Sequence, residues 1–455
     1  MSNNVNRLTL AIALASTALI AGQAAASGFQ VREQSAKTLA NALSNATAGA
    51  EDVSFMAYNP AAIGNIDGNQ VAGGVAYIDA TFELQGAEAS SRSIPGLGNV
   101  DYDRGGSRQG GETATVPSFA AKMQLNERFD LGLAIYAPYG LSTKYDEDWI
   151  GRYHAVETEL KTIDFQPTLN YRATERLNLA VGLRAQYADA TLSNNIDLGA
   201  LGARQGSLQP SAIGNADGFA EVTGDDWGYG YTLGALFQVT DKTRLGASYR
   251  SEIDLTLEGE VDYSSDNAAG QRVLAGAQAG GDLRDGGGTA EITTPANLNL
   301  GVYHQLTDRL ALMANAEWTE WSSFDELTVE FEDGSKPSST TENWNDTWAF
   351  SVGADYALNQ QWLLRAGLGV DESPVPSAEF RTPRVPDADR QWATFGATWM
   401  PTPELGITAG YMHVFADDGD IDQDGSKEEN ATKGSLNGTY EVEADVFALS
   451  LDYRF

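Results

Sequence analysis

Few residues in this chain could carry covalent chemistry. Cysteine is absent and histidine occurs only as His154, His304 and His413. Disulfides, thiolate nucleophiles, iron–sulfur clusters and cysteine zinc sites are thereby removed together. No G-x-S-x-G elbow and no H-E-x-x-H pair is present, so neither a hydrolase nucleophile nor a zinc-protease site can be read from a local motif. The run Asp420-Ile421-Asp422-Gln423-Asp424-Gly425 has the alternating carboxylates and turn glycine of a Ca2+ cradle. An EF-hand loop needs glutamate at its twelfth position, and Ala431 stands there. Asp420, Asp422 and Asp424 are therefore a weak calcium candidate in an acidic, solvated stretch from Ala416 to Tyr440, and no other metal or cofactor is expected. What remains is a set of arginines, Arg184, Arg250 and Arg365, each preceded by a hydrophobic residue. An arginine so placed can grip a carboxylate through two parallel hydrogen bonds, or pair with an acid such as Asp371.

The elements that must hold these residues are strands. From about residue 70 to the end, apolar side chains recur at every second position. Leu177, Leu179, Val181, Leu183, Ala185 and Tyr187 alternate with Asn178, Ala180, Gly182, Arg184 and Gln186. Trp227, Tyr229, Tyr231, Leu233, Ala235, Phe237 and Val239 alternate with small or polar residues, and Leu245, Ala247, Tyr249, Ile253, Leu255 and Leu257 form a further run. Fourteen such segments begin near Val71, Thr115, Phe129, Thr158, Leu177, Asp226, Arg244, Ala290, Leu310, Trp344, Trp362, Arg390, Leu405 and Glu441. Their connections alternate strictly. Short turns (Asn126 to Arg128, Ala173 to Arg176, Thr240 to Thr243, Thr307 to Arg309, Asn359 to Gln361, Pro401 to Glu404) separate long polar stretches such as Gln85 to Ala114 and Ser193 to Asp225. Outer-membrane barrels have this asymmetry, with short periplasmic turns and long extracellular loops. An all-β fold follows: a 14-stranded antiparallel transmembrane barrel, closed because hydrocarbon cannot satisfy a free strand edge.

On this reading Trp227, Tyr249, Trp318, Trp321, Trp362, Trp392, Trp399 and Tyr453 form interfacial girdles, and the terminal Phe455 faces outward. With Leu364, Ala366, Leu368 and Val370 toward lipid, Arg365, Gly367, Gly369 and Asp371 face the lumen, as do Arg184, Arg250 and Glu252.

Composition fits. The 455 residues carry 29 basic and 63 acidic side chains, a net charge of −34, which argues against nucleic acid. Residues 1–26 read as a secretory signal: Arg7, a 13-residue apolar run from Leu8 to Ile20, then Ala24-Ala25-Ala26. That run is shorter than a helix needs to span a bilayer. Residues 27–68 lack alternation and carry Ala-rich helical stretches, Ser35 to Asn45 and Thr47 to Asp52. Eight strands already leave a lumen just filled by side chains, so fourteen leave room, and this segment is expected as a plug inside a barrel of residues 69–455.

Several stretches together resemble one family. They are Gly28-Phe29-Gln30, Asn59-Pro60-Ala61, Tyr139-Gly140-Leu141-Ser142-Thr143, Trp227-Gly228-Tyr229-Gly230 with Tyr249-Arg250-Ser251-Glu252, Asp371-Glu372-Ser373-Pro374-Val375-Pro376, and Pro386-Asp387-Ala388-Asp389-Arg390-Gln391-Trp392. In this order they resemble the FadL/TodX family of outer-membrane transporters for long-chain fatty acids and other hydrophobic compounds. The resemblance implies passive uptake without cofactor: capture by extracellular loops, an apolar internal pocket, an N-terminal hatch, and sideways exit into the bilayer at a kinked third strand. Pro138, Tyr139 and Gly140 mark the expected gap, since proline cannot donate to a ladder and glycine weakens one. Asn59 and Pro60 in the hatch are implied to face that gap. Phe29, Arg250, Arg365 and Asp371 are the candidate ligand contacts.

One departure bears on the ligand. Where fatty-acid members carry basic pocket residues, this chain aligns Asn194 and Thr328, which leaves room for an uncharged hydrocarbon or aromatic compound. A lipid hydrolase or an open porin of similar outline is the less favoured alternative. The expected protein is a non-enzymatic monomer of the bacterial outer membrane, in contact with its lipid and lipopolysaccharide.

Overall fold

The computed structural model describes residues 27–94, 96–102 and 105–455; the expected export signal lies outside the described residues. Fourteen antiparallel strands close into one barrel. They are β1 (Gln70–Ser90), β2 (Thr113–Gln124), β3 (Phe129–Tyr136 continued by Gly140–Lys144), β4 (Glu157–Thr174), β5 (Leu177–Asp197), β6 (Asp217–Thr240) and β7 (Thr243–Arg250 continued by Ile253–Ser264). Then follow β8 (Gly286–Thr294 continued by Asn297–Gln305), β9 (Leu310–Thr319 with Glu326–Phe331), β10 (Thr347–Ala357), β11 (Trp362–Asp371), β12 (Arg390–Thr402), β13 (Leu405–Ala416 with Gly419–Gln423) and β14 (Ser435–Arg454). Closure is made by β14 on β1, in register from Gln70–Arg454 to Ser90–Ser435 with one irregularity at Gln85 to Glu88.

Local chemistry sets the short turns. Asn126 Oδ1 accepts from the Arg128 and Phe129 amides, and Asn359 Oδ1 from those of Gln361 and Trp362. Side chains of this kind mimic a backbone turn. At the other end the strands outrun the apolar band: β5 and β6 stay paired from Leu177–Phe237 to Asp197–Asp217, so much of the expected loop Ser193 to Asp225 is ladder. The outward face of β5 is apolar only from Leu177 to Tyr187, after which Asp189 follows. Ten residues at the usual strand tilt cross roughly 25 Å, the height of a bilayer's apolar band.

Outward parity holds for Leu179, Val181, Leu183, Leu364, Leu368, Val370 and Phe455, all substantially exposed. It fails at two girdle candidates. Trp321 and Trp392 are buried; Trp392 lies over Gly369 of the neighbouring strand, where any Cβ would collide with its ring. It fails again in β7. The pairing Thr232–Arg250 becomes Asp225–Glu258, so eight residues of β7 span seven of β6. A one-residue slip of this kind moves every later side chain to the opposite face. Ile253, Leu255 and Leu257 therefore point inward and are buried, while Glu252 is exposed rather than luminal. In β8, Pro295 and Ala296 interrupt the strand at the same level, between Asn297 opposite Arg250 and Thr294 opposite Ile253. In β9, ten residues span seven of β8. The excess includes the 3-10 turn Trp321–Ser323, which carries Trp321 inside.

The lumen is occupied by the N-terminal segment, residues 27–49 of which are all buried. Its helix is shorter than expected. One turn, Ala36–Leu39, is capped by Ser35 Oγ, and 3-10 turns Val53–Ala57 and Pro60–Asn65 are capped by Asp52 and Asn59. Between them Ala42 and Leu43 take positive φ, at 55° and 66°, and such left-handed residues end a helix. The wall yields where the segment touches it: a Cβ at Gly246 would stand 2.1 Å from the Thr47 carbonyl oxygen.

Candidate functional site

The third strand is broken where proline and glycine suggested. Tyr136 ends the first half of β3 and Gly140 begins the second, and the interruption alters both flanks. On the β4 side, the Tyr139 amide donates to Thr162 Oγ1 at 3.0 Å, and the same hydroxyl lies 2.6 Å from the Tyr139 carbonyl. On the β2 side the ladder stops at Phe119–Ile135 and resumes only as a single bridge, Gly111–Thr143. Between those points no β2–β3 pair is formed among the described residues. The gap straddles the edge of the apolar band, since Pro117 is paired with Val75 of β1 and Thr113 with Asp79.

The free edge of the kink is taken by the chain's own beginning. The Val31 amide donates to the Pro138 carbonyl and the Gly140 amide to the Phe29 carbonyl, both at 2.9 Å, with Gln30 bridged to Tyr139. Residues 29–31 thus act as a short strand added to β3, which satisfies backbone groups that burial would otherwise leave unpaired. Gly28, at a φ of 60°, turns the chain beneath Trp321 and Trp344, and any Cβ there would overlap both rings. Phe29 then enters an aromatic box, with ring centroids 4.7 Å from Trp321, 5.4 Å from Phe324, 5.8 Å from Trp344 and 5.9 Å from Tyr139.

Beside Phe29 lies an apolar cavity of about 60 Å3, lined among others by Leu141, Leu160, Leu257, Ala290 and Ile292. Leu257 and Ile292 reach it because of the parity reversal in β7 and β8. A larger, more polar vestibule of about 670 Å3 shares Leu192, Val222 and Arg384 with this cavity. Arg384 comes from the loop between β11 and β12. Its guanidinium donates to Thr158 Oγ1 at 3.0 Å, to the Glu157 carbonyl at 3.3 Å and to Asn194 Oδ1 at 3.3 Å. Lys433, from the loop before β14, donates to Thr340 Oγ1 at 3.1 Å. Burial pulls Arg384 down to about 10 and Lys433 down to about 8. Glu342 accepts from Trp344 Nε1 and is pushed by burial up to about 8, which keeps it protonated at neutral pH.

The residues singled out by sequence fall into distinct places. Phe29 lines the apolar cavity. Arg250, Arg365 and Asp371 do not; they hold the N-terminal segment. Arg250 donates to the Ala57 carbonyl at 2.7 Å and lies over the Tyr136 ring. Arg365 pairs with Glu51 and Asp355 and reaches Asn41 Oδ1 at 3.0 Å. Asp371 accepts from the Ser27 amide and pairs with Arg32. Asn59 and Pro60 abut Gly234 of β6, not the kink of the third strand, so the N-terminal residues that meet Pro138, Tyr139 and Gly140 are Phe29 to Val31. Asp420 and Asp422 lie exposed on the extended segment Gly419–Gln423, and both Asp424 oxygens accept from Ser426. No cluster of three or more metal-ligating side chains occurs among the described residues. His413 meets Asp445 and Tyr411 shares that carboxylate, while His304 meets Thr243. Sequence reasoning did not single out Arg384, Lys433 or Glu342; loop residues without periodicity gave no reason to converge.

Comparison with known proteins agrees with this architecture. Residues 17–455 match the family model described as outer membrane protein transport protein (OMPP1/FadL/TodX). The chain is 28% identical over 454 residues to a 47 kDa outer membrane protein of Pasteurella multocida, covering 99% of each. It is 28% identical over 418 residues to a long-chain fatty acid transport protein of Escherichia coli, covering 89% of this chain and 90% of that one. A crystal structure of a Pseudomonas aeruginosa FadL homologue superposes with a TM-score of 0.84 at 29% identity, over 94% of this chain and all of the other. The Pseudomonas putida toluene transporter TodX shares the fold, with a TM-score of 0.64 at 20% identity over 91% of this chain and 98% of that one. A closed barrel filled by its own leading residues, with an apolar cavity beside a broken third strand, is thus the build of an outer-membrane transport protein, and the chain belongs to the OMPP1/FadL/TodX family.

Proposed function

We propose that this protein takes up long-chain fatty acids or similar hydrophobic molecules by passive diffusion, with residues 27–68 as the hatch and the β2–β3 gap as the exit. The observation that carries the proposal is the double engagement of residues 29–31. Their backbone covers the unpaired edge of β3, and the Phe29 ring fills one side of the apolar cavity.

The cavity is too small as it stands. A 150 Å3 cavity admits benzene, and water occupies about 30 Å3, so a space of about 60 Å3 takes a long chain only if the aromatic box moves. Ligand entry then displaces Phe29, and with it the strand that covers Pro138 to Gly140. A sideways exit is also the inexpensive one. Burial of each methylene is worth about 0.8 kcal/mol, so a dozen of them would lose on the order of 10 kcal/mol in periplasmic water, and a route into the bilayer avoids that exposure. The reading makes the protein a carrier-free conduit, driven by consumption of its cargo elsewhere.

Gly140→Arg places a bulky charge at the kink. In cells that depend on this protein for hexadecanoate uptake, the variant is expected to fall to the level of cells without it, while its heat-modifiable electrophoretic mobility, the mark of a folded barrel, is retained. Undiminished uptake by a folded variant would overturn the lateral route.

A further inference from the structure

We propose that the wall between β8 and β9 is a second side port, through which uncharged hydrophobic molecules dissolved in the outer leaflet enter the apolar cavity. The inference rests on the uptake reading above and adds a way in to its way out.

The two strands are paired below Asn297–Thr319 and above Ala290–Val329, and between those points no β8–β9 pair is formed among the described residues. One backbone contact, from the Glu320 amide to the Ala296 carbonyl at 2.9 Å, closes the lower corner. β8 keeps its ladder with β7 through the same interval, from Thr294–Ile253 to Glu291–Thr256, so it is β9 that departs. The upper β8–β9 register, continued by two residues, would set Ile292 against Leu327. Both side chains instead line the cavity, with Phe324 of the inserted stretch beside them, so the cavity abuts the separation directly.

Its height suits a lipid-borne ligand. Tyr249, Leu298, Trp318 and Trp348 are neighbours across four strands, and the separation opens just above this row. Tryptophan and tyrosine so placed mark the membrane interface. An uncharged molecule with a dozen methylenes is held in the leaflet by about 0.8 kcal/mol for each. To arrive through the loops that roof the cavity, which carry Arg384 and Lys433, it would first have to leave for water; the side port spares it that step.

Charge narrows the choice of ligand. Residues 286–305 and 310–331 include no lysine or arginine, whereas Glu291, Asp325 and Glu326 lie exposed about the separation. Such a rim repels a carboxylate and leaves an alcohol or a hydrocarbon unaffected. The two breaks in the wall also share their inner face. The Tyr139 hydroxyl, at the kink of β3, donates to the Pro295 carbonyl of β8 at 2.7 Å, and the Phe29 ring packs on both Trp321 and Phe324. Movement of Phe29 therefore loosens both.

Because the chain has no cysteine, the port can be closed specifically. Glu291→Cys and Thr328→Cys, the next pair in the interrupted register, are bridged with a bis-maleimide in protein carrying Gly140→Arg to shut the exit, reconstituted in phosphatidylcholine vesicles. Hexadecanol and hexadecanoate, each bearing the same mid-chain diazirine, are photolysed, and their attachment at Phe29, Leu141 and Leu160 is read by mass spectrometry. Bridging is expected to slow labelling by hexadecanol at least fivefold and to leave hexadecanoate within twofold, while the unbridged double variant matches its parent. Undiminished labelling by hexadecanol in the bridged protein would overturn the port, and so would equal loss of both probes, which would mark a distorted cavity. Failure of both probes to reach the cavity of the unmodified protein would instead refute the uptake reading underneath.

Discussion

Two seams of this barrel join antiparallel neighbours, yet they are built differently. β14 and β1 pair across the apolar band and well beyond it, to Ser90–Ser435, with one irregularity at Gln85 to Glu88. β2 and β3 part company at Phe119–Ile135, still beside lipid. Proline accounts for the contrast. Continuing the β2–β3 register upward would set Pro117 opposite Ala137, next to Pro138, so both strands lack an amide donor at the point of separation. Closure is not uniform in this membrane barrel: one seam is sealed by its own ladder, the other by a separate segment laid against it from inside.

If the N-terminal segment seals the second seam, loosening its anchor should open that seam and spare the first. Arg365→Met strands Glu51 and Asp355, and removing one member of a buried ion pair costs about 3–5 kcal/mol. The expected result is a marked rise in bilayer conductance and faster proteolysis within residues 27–68, with β14–β1 amides as protected from hydrogen exchange as before. Conductance at the level of the unmodified protein would mean the segment is held without this clamp.

A smaller effect is expected at the kink itself. Thr162→Val keeps the shape but removes the hydroxyl that serves both Tyr139 backbone groups, leaving a buried amide unsatisfied at about 1–3 kcal/mol. Exchange at Tyr139 and Gly140 should accelerate, and uptake should change by severalfold; exchange unaltered at these amides would show that β4 does not hold the kink.

The mildest perturbation is pH, which acts on the roof and reaches the second seam only through Glu342, the acceptor for Trp344 Nε1. Lys433 is held at about 8 against its ordinary 10.5, with Arg384 and Glu429, Glu342 facing it. Between these values the unfolded chain keeps a proton that the folded roof has lost, so roof stability rises with pH across that window. Hexadecanoate affinity should fall as pH passes about 8, because Lys433 loses its charge and Glu342 gains one beside the cavity, while hexadecanol affinity stays level. Isothermal titration at pH 7 and pH 9 distinguishes the two; parallel behaviour of both probes would show that neither group acts on the ligand.

Much of the fold was legible because lipid imposes a simple code. Leu177 to Tyr187 and Trp227 to Val239 had to alternate, and Asn126 and Asn359 had to turn the chain. The code failed where two residues changed the count. Ile253, Leu255 and Leu257 continue the outward parity of Leu245 in sequence, and only the slip at Ser251 and Glu252, visible in pairing with β6, turns them inward. Trp321 and Trp392 looked like interfacial anchors because an inward tryptophan has the same spelling as an outward one; what separates them is Gly369 beneath one and an inserted turn beneath the other. Of the site, Phe29 and the Pro138 to Gly140 kink were readable. The anchoring roles of Arg365 and Asp371 were not, since their partners Glu51 and Arg32 lie more than 300 residues away in sequence.

The reversal of faces in β7 and β8 has a practical consequence. Below it, a larger or smaller aliphatic residue alters contact with the bilayer; above it, the same substitution at Leu257, Ala290 or Ile292 alters only the bore available to cargo. Substrate size can therefore drift, or be engineered, along these two strands without disturbing how the protein is seated in its membrane.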